Sequence, residues 1–150
     1  MKKILFLHGL ESQPGGSKPR FLKEKGYHVL NPNLPKSSFE ESIKIAQDQV
    51  DSEEPDIIVG SSRGGAVAMC LDPRDAKLVL IAPAWKNFTH SQDKEVPSTS
   101  MILHSMLDDV VDYEDSVELS TSTGAYLMEV GESHRMNDND ALEGLSLIHI

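Results

Sequence analysis

Gly60-Ser61-Ser62-Arg63-Gly64-Gly65 follows the run Asp56-Ile57-Ile58-Val59 and precedes Ala66-Val67-Ala68-Met69-Cys70-Leu71. The first flank is short, apolar and β-branched, the composition of a buried strand; the second is that of a buried helix. A G-x-S-x-G between a strand and a helix is the setting of a nucleophile elbow, where the chain turns sharply and holds a serine at the apex. Residues two positions either side of that serine must lack bulk, because strand and helix nearly touch there. Gly60 and Gly64 meet this need around Ser62. The helix that follows points its N-terminus at the serine and favours negative charge developing there.

Outward from this turn, strand-like and helix-like segments alternate, which predicts a parallel sheet covered by helices on both faces. Strands are expected at Ile4–Leu7, Tyr27–Leu30, Asp56–Val59, Lys77–Ile81, Ser100–Leu103 and Ala125–Val130. Helices are expected over Lys18–Lys25 (stopped by Gly26), Phe39–Val50 (capped by Ser38) and Asp112–Leu119, with one after the elbow and a last one from Asp138 to Leu145. The expected architecture is α/β: a three-layer αβα sandwich on a mostly parallel six-stranded sheet. Residues 1–150 form a single domain in this reading, with no repeat and no linker. Ala82–Thr99 has no clear period and is the longest irregular stretch. The last six residues, Leu145-Ser146-Leu147-Ile148-His149-Ile150, match the translation of a transposase recognition sequence used in library preparation better than a natural helix end. They are read as a non-native tail.

Composition narrows the partners. Lys+Arg 14 against Asp+Glu 24 leaves a net charge of -10, which disfavours nucleic-acid backbones and anionic membrane surfaces. One cysteine, Cys70, excludes an intrachain disulfide. Only Ile4 to Leu7 follow Met1-Lys2-Lys3 as an apolar run, too short for a signal sequence or a membrane span, so the expected compartment is the cytoplasm. No zinc-type or phosphate-loop spacing occurs, and no cofactor and no metal are expected. The expected state is a monomer or small homo-oligomer acting on a small molecule.

A serine hydroxyl needs a base to take its proton, and the base needs an orienting carboxylate. Hydrolases built on this elbow run Ser, then Asp or Glu, then His along the chain. Met101-Ile102-Leu103-His104-Ser105-Met106-Leu107-Asp108-Asp109-Val110-Val111 is a strand entering an acidic loop. Asp108 fits the carboxylate best, with Asp109 as the alternative. The last strand runs into Gly131-Glu132-Ser133-His134, so His134 also hangs beyond a strand end, where open parallel sheets place their sites. Two backbone donors are needed for an oxyanion. One is the N–H of Arg63, next after the serine. The other is that of Leu10, in the loop Leu7-His8-Gly9-Leu10-Glu11-Ser12, which His8 braces.

These elements together resemble the α/β-hydrolase superfamily, and within it the small, nearly lidless bacterial esterases of the YqiA-like group. The resemblance rests on Leu7-His8-Gly9, Gly60 to Gly65, Ile81-Ala82-Pro83-Ala84, Leu103-His104 with Asp108 to Val111, and Gly131 to His134. It implies Ser62 as nucleophile, His134 as general base and acid, Asp108 as orienter, and Leu10 and Arg63 as oxyanion donors. The implied reaction is cleavage of a small ester or thioester through an acyl-enzyme. Acyl transfer, amide cleavage and a non-catalytic binding role on the same scaffold are the alternatives. Two departures stand out: Ser105 replaces the glycine usual after the histidine, and the chain starts at what would be the third strand of a full-size member. Trp85 is either an apolar wall for the substrate or a residue packed on Phe88, and Met106 and Met136 flank the acid and the histidine as further wall. The Arg63 side chain either pairs with an acid such as Glu11 or attracts an anionic substrate group.

Overall fold

The computed structural model describes residues 2–9 and 15–134. The calls on Leu10, Glu11, Met136, the last helix and the tail therefore lie outside the described residues. Six strands form one sheet in the order β2-β1-β3-β4-β5-β6. They are β1 (Lys3–Leu7), β2 (His28–Leu30), β3 (Ile57–Ser61), β4 (Lys77–Ile81), β5 (Met101–His104) and β6 (Tyr126–Glu129). Every pairing is parallel. The helices are α1 (Ser17–Glu24), α2 (Phe39–Glu53), α3 (Arg63–Met69), α4 (Thr89–Gln92) and α5 (Tyr113–Thr123).

The central strands β1, β3, β4 and β5 are largely apolar on both faces because both faces are covered. Alternation along each strand sends neighbouring side chains to opposite sides. Leu5, Leu7, Ile58, Leu80 and Ile102 pack with Ala46 and Val50 of α2, Val67 and Ala68 of α3 and Leu119 of α5. Ile4, Phe6, Ile57, Val59, Val79, Ile81 and Leu103 turn the other way and pack with Leu22 of α1. These are the three layers expected.

The boundaries differ where burial stops informing them. α2 continues past Val50, its last buried residue, through a polar turn in which the Ser52 hydroxyl donates to the Asp48 carbonyl. α5 runs on to Thr123 and stops where Gly124 takes a φ of 80°. Residues 82–99, expected to be irregular, hold a 3₁₀ turn (Trp85–Asn87) and α4. Buried Ser91 closes this segment, its hydroxyl 2.6 Å from the Trp85 carbonyl oxygen. A side-chain bond to backbone leaves no periodic trace in a sequence.

The junction of β3 and α3 is the tightest point of the fold. A Cβ on Gly60 would meet the Gly64 carbonyl, and one on Gly64 would meet the Leu7 carbonyl. Both obstacles are backbone, which cannot rotate aside. Gly64→Ala should therefore cost about 3 kcal/mol or more of stability, at the upper end of overpacking penalties. Urea unfolding measures it, and a loss under about 1 kcal/mol contradicts the close approach.

Candidate active site

Ser62 stands between β3 and α3 with φ 55° and ψ −115°, a conformation costly for a residue with a Cβ. Tertiary hydrogen bonds hold it. Its N–H donates to the Ile81 carbonyl (2.9 Å), and its carbonyl accepts from the N–H groups of Ala84 and Gly65 (both 3.0 Å). The elbow is thus stitched to the end of β4. Asp108 and His134 hang from the loops after β5 and β6, so all three groups lie beyond the C-terminal ends of parallel strands.

The structure brings the three together. The Ser62 Oγ lies 2.8 Å from His134 Nε2. His134 Nδ1 lies 2.7 Å from Asp108 Oδ2. A carboxylate can only accept, so Nδ1 carries the hydrogen and Nε2 is free to accept from the serine. The Asp108 carboxyl is fully shielded from solvent, while the His134 side chain is 17% exposed. Oδ1 of Asp108 accepts from the backbone N–H groups of Val110 and Val111, each at 2.8 Å. Asp109, the alternative acid, is exposed. Burial by itself would raise the Asp108 pKa. The Val111 N–H, the His134 hydrogen bond and the Val110 N–H outweigh it and hold the carboxyl below its ordinary range.

The loops bearing acid and base are tied to each other. The Ser105 hydroxyl donates to the Gly131 carbonyl (2.9 Å) and accepts from the Leu107 N–H (3.0 Å). The Val130 N–H donates to the His104 carbonyl (3.0 Å). Ser105, a departure from the resembled pattern, is buried and supplies a link that glycine could not.

Arg63 opens α3, where the first backbone N–H groups have no acceptor within the helix. Its side chain is only 3% exposed. The guanidinium donates to the Pro35 carbonyl (2.9 Å) and lies over the rings of Phe39 (5.4 Å) and Phe88 (6.0 Å). Burial lowers its pKa. Among the described residues no carboxylate pairs with it. Its role there is packing.

His8 accepts from the Leu34 N–H through Nε2 (2.9 Å), so Nδ1 holds the hydrogen and donates to the Gly9 carbonyl (2.9 Å). This braces the loop after β1 against Leu34, beyond β2. A Cβ on Gly9 would lie 3.3 Å from both the Ser61 oxygen and the Ser62 Cβ. Leu10 follows directly, outside the described residues.

Of its two expected placements, Trp85 takes packing rather than a substrate wall: it is 7% exposed, sits in the core and donates its indole N–H to the Asp115 carbonyl (3.1 Å). Phe88 stacks on Phe39, with centroids 4.4 Å apart. The ring is consumed by the contact between the 85–92 segment and α5, a tertiary pairing with no local signature. The exposed apolar surface near the acid comes from Met106, Leu107 and Val110, which are 63%, 69% and 66% exposed. His104, at the end of β5 beside the acid loop, contacts the Asp108 carboxylate directly at 2.9 Å. Its spacing four residues before the acid was the available signal.

Among the described residues, no cluster of histidine, cysteine or carboxylate groups could hold a metal ion. No helix among them is long and apolar enough to cross a membrane. A surface depression of about 920 Å³ lies away from Ser62, among Lys2, Asp51, Glu54, Arg74 and Lys77, and is lined by no serine, cysteine or histidine.

No family model matches the chain, and no curated protein matches it. Solved structures do. Est1E from Butyrivibrio proteoclasticus superposes with a TM-score of 0.76 at 16% identity, covering 97% of this chain and 84% of that one. An alpha/beta hydrolase enzyme from the metagenome of lagoon sediments at Mar Chica, Morocco, gives 0.71 at 20% identity, with 99% and 89% covered. Alpha/beta hydrolase domain-containing protein 10 from mouse gives 0.72 at 16% identity, with 95% and 86% covered. At these identities the likeness establishes the fold, a compact α/β-hydrolase fold.

Two outcomes follow from the geometry. Ser105→Ala leaves the Gly131 carbonyl without its donor and should cost about 1 kcal/mol in urea unfolding; no measurable loss contradicts the link. Because the folded Asp108 pKa is depressed, its ionised form stabilises the protein above about pH 4. That contribution is lost as pH falls from there through the folded value. Asp108→Asn should flatten the acid limb of stability against pH, and an unchanged limb contradicts the assignment.

Proposed function

We propose that this chain is a serine hydrolase that cleaves a small carboxylic ester or thioester through an acyl-enzyme, akin to the small, nearly lidless bacterial esterases. The continuous hydrogen-bonded chain from the Ser62 hydroxyl through His134 to Asp108 carries this reading. Ser62 Oγ attacks the carbonyl carbon while His134 Nε2 takes its proton, and Asp108 stabilises the imidazolium that results. The tetrahedral oxyanion is received by the backbone N–H groups of Arg63 and Leu10. His134 then returns the proton to the leaving alcohol or thiol, and the acyl group remains on Ser62. Water repeats the sequence with His134 as base, releasing the acid.

The elbow supports this reading independently. A serine held at φ 55° by backbone hydrogen bonds to Ile81, Ala84, Gly65 and Ala66 is strain stored where a nucleophile would use it. Met106, Leu107 and Val110, exposed on the loop that carries Asp108, offer apolar surface to a short acyl or alcohol group, with Met136 as a further candidate beside His134. Est1E has been solved with ferulic acid bound, so ferulate esters belong in the substrate panel.

Hydrolysis of p-nitrophenyl acetate and butyrate, methyl ferulate and acetyl thioesters tests the proposal. Ser62→Ala should abolish turnover by at least about 10³-fold, and Asp108→Asn should lower kcat by about 10²- to 10⁴-fold. Turnover that survives Ser62→Ala would place the chemistry elsewhere. No turnover of any ester or thioester by the folded parent overturns the esterase reading.

A further inference from the structure

The Asp108 carboxylate serves two histidines. His104, the last residue of β5, is wholly buried, and its Nε2 lies 2.9 Å from Asp108 Oδ2 and 3.1 Å from the Val111 carbonyl oxygen. An ionised carboxylate and a carbonyl are both acceptors, so Nε2 must carry a hydrogen. On the other side of the ring, Nδ1 lies 2.6 Å from the hydroxyl of buried Ser116 on α5, which donates to it when the imidazole is neutral. Tyr113 packs edge-on against the ring at 5.6 Å. The imidazole is therefore fixed in position and in tautomer by α5 on one side and by the acid loop on the other.

We propose that His104 is a positioning residue for the triad, its Nε2–H sharing Asp108 Oδ2 with His134 so as to aim that oxygen and moderate its hold on the His134 imidazolium. The proposal rests on the preceding section only for the part His134 plays. Oδ2 takes two N–H donors, and Oδ1 takes the two backbone donors of Val110 and Val111. Each donor spreads the carboxylate charge and leaves less of it for the others. Removing the His104 donor concentrates that charge on the bond to His134 and favours protonated His134. Among the described residues, the titratable groups near the pair include Tyr113 and Glu114 of α5, Asp109 and Asp112 of the acid loop, and Glu129 of β6, which stands opposite His104 in the β5–β6 register. None of these lies within hydrogen-bonding distance of Oδ2, so none substitutes for the lost donor.

Histidine-selective ¹⁵N NMR of the intact protein tests this without any substrate. In the parent, His104 should show the Nε2–H tautomer. In His104→Leu, the pH at which His134 takes its proton should rise by about half a unit to one unit. His104→Gln, whose amide N–H reaches toward the Nε2 position, should leave it near the parent value. Ser116→Ala, which frees the tautomer, should give a smaller rise in the same direction and decides the matter if the leucine variant does not fold. An Nδ1–H tautomer in the parent, an unmoved His134 titration in His104→Leu, or equal shifts in the leucine and glutamine variants would overturn the proposal. Ester turnover enters none of these readouts, so loss of the esterase reading and loss of this one are separable.

Discussion

The contact between the β3–α3 turn and the end of β1 is the constraint on which the site depends. With no Cβ at Gly60 or Gly64, α3 approaches the sheet so closely that its first turn lies against the Leu7 backbone. That approach forces Ser62 into its positive φ and sets its hydroxyl above the strand ends. The same approach brings the loop bearing His8 and Gly9 against Ser62. A looser junction would relax the serine backbone and separate Ser62 from the loop after β1.

Asp108 is the second node. Its carboxylate is out of solvent, a costly position unless every lone pair is engaged. Two backbone N–H groups and two imidazoles engage them. The arrangement joins β5, β6 and α5 at one carboxyl group, so the base is oriented by the core of the domain rather than by a surface loop alone. Ser105 reinforces this by tying the Asp108 loop to Gly131, three residues before His134. Preorganisation of this kind keeps the carboxyl shielded while 17% of the His134 side chain stays open to solvent.

Features with a local cause were legible in the sequence. The elbow was readable from glycine spacing between two apolar runs, and the parallel sheet from six apolar segments separated by helical periods. Ser62, Asp108 and His134 could be paired because chain order and strand ends limit where partners of a serine can lie. What escaped was set by tertiary partners. Trp85 carried no sign that its indole would be taken by the Asp115 carbonyl of α5. Arg63 carried none that its guanidinium would lie over two stacked phenylalanines and reach Pro35. His104 stands at a strand end beside the acid loop, and only the fold of that loop turns its ring nitrogen onto Asp108.

The central claim is that Ser62 is a nucleophile activated by His134 and Asp108. Reaction with a fluorophosphonate probe, followed by peptide mass spectrometry, tests it most directly, because phosphonylation needs an activated hydroxyl but no particular substrate. The account predicts one adduct, on the peptide containing Ser62, whose rate of formation collapses when His134 is replaced by alanine. A folded protein that takes no adduct, or takes it on another residue, would contradict the account.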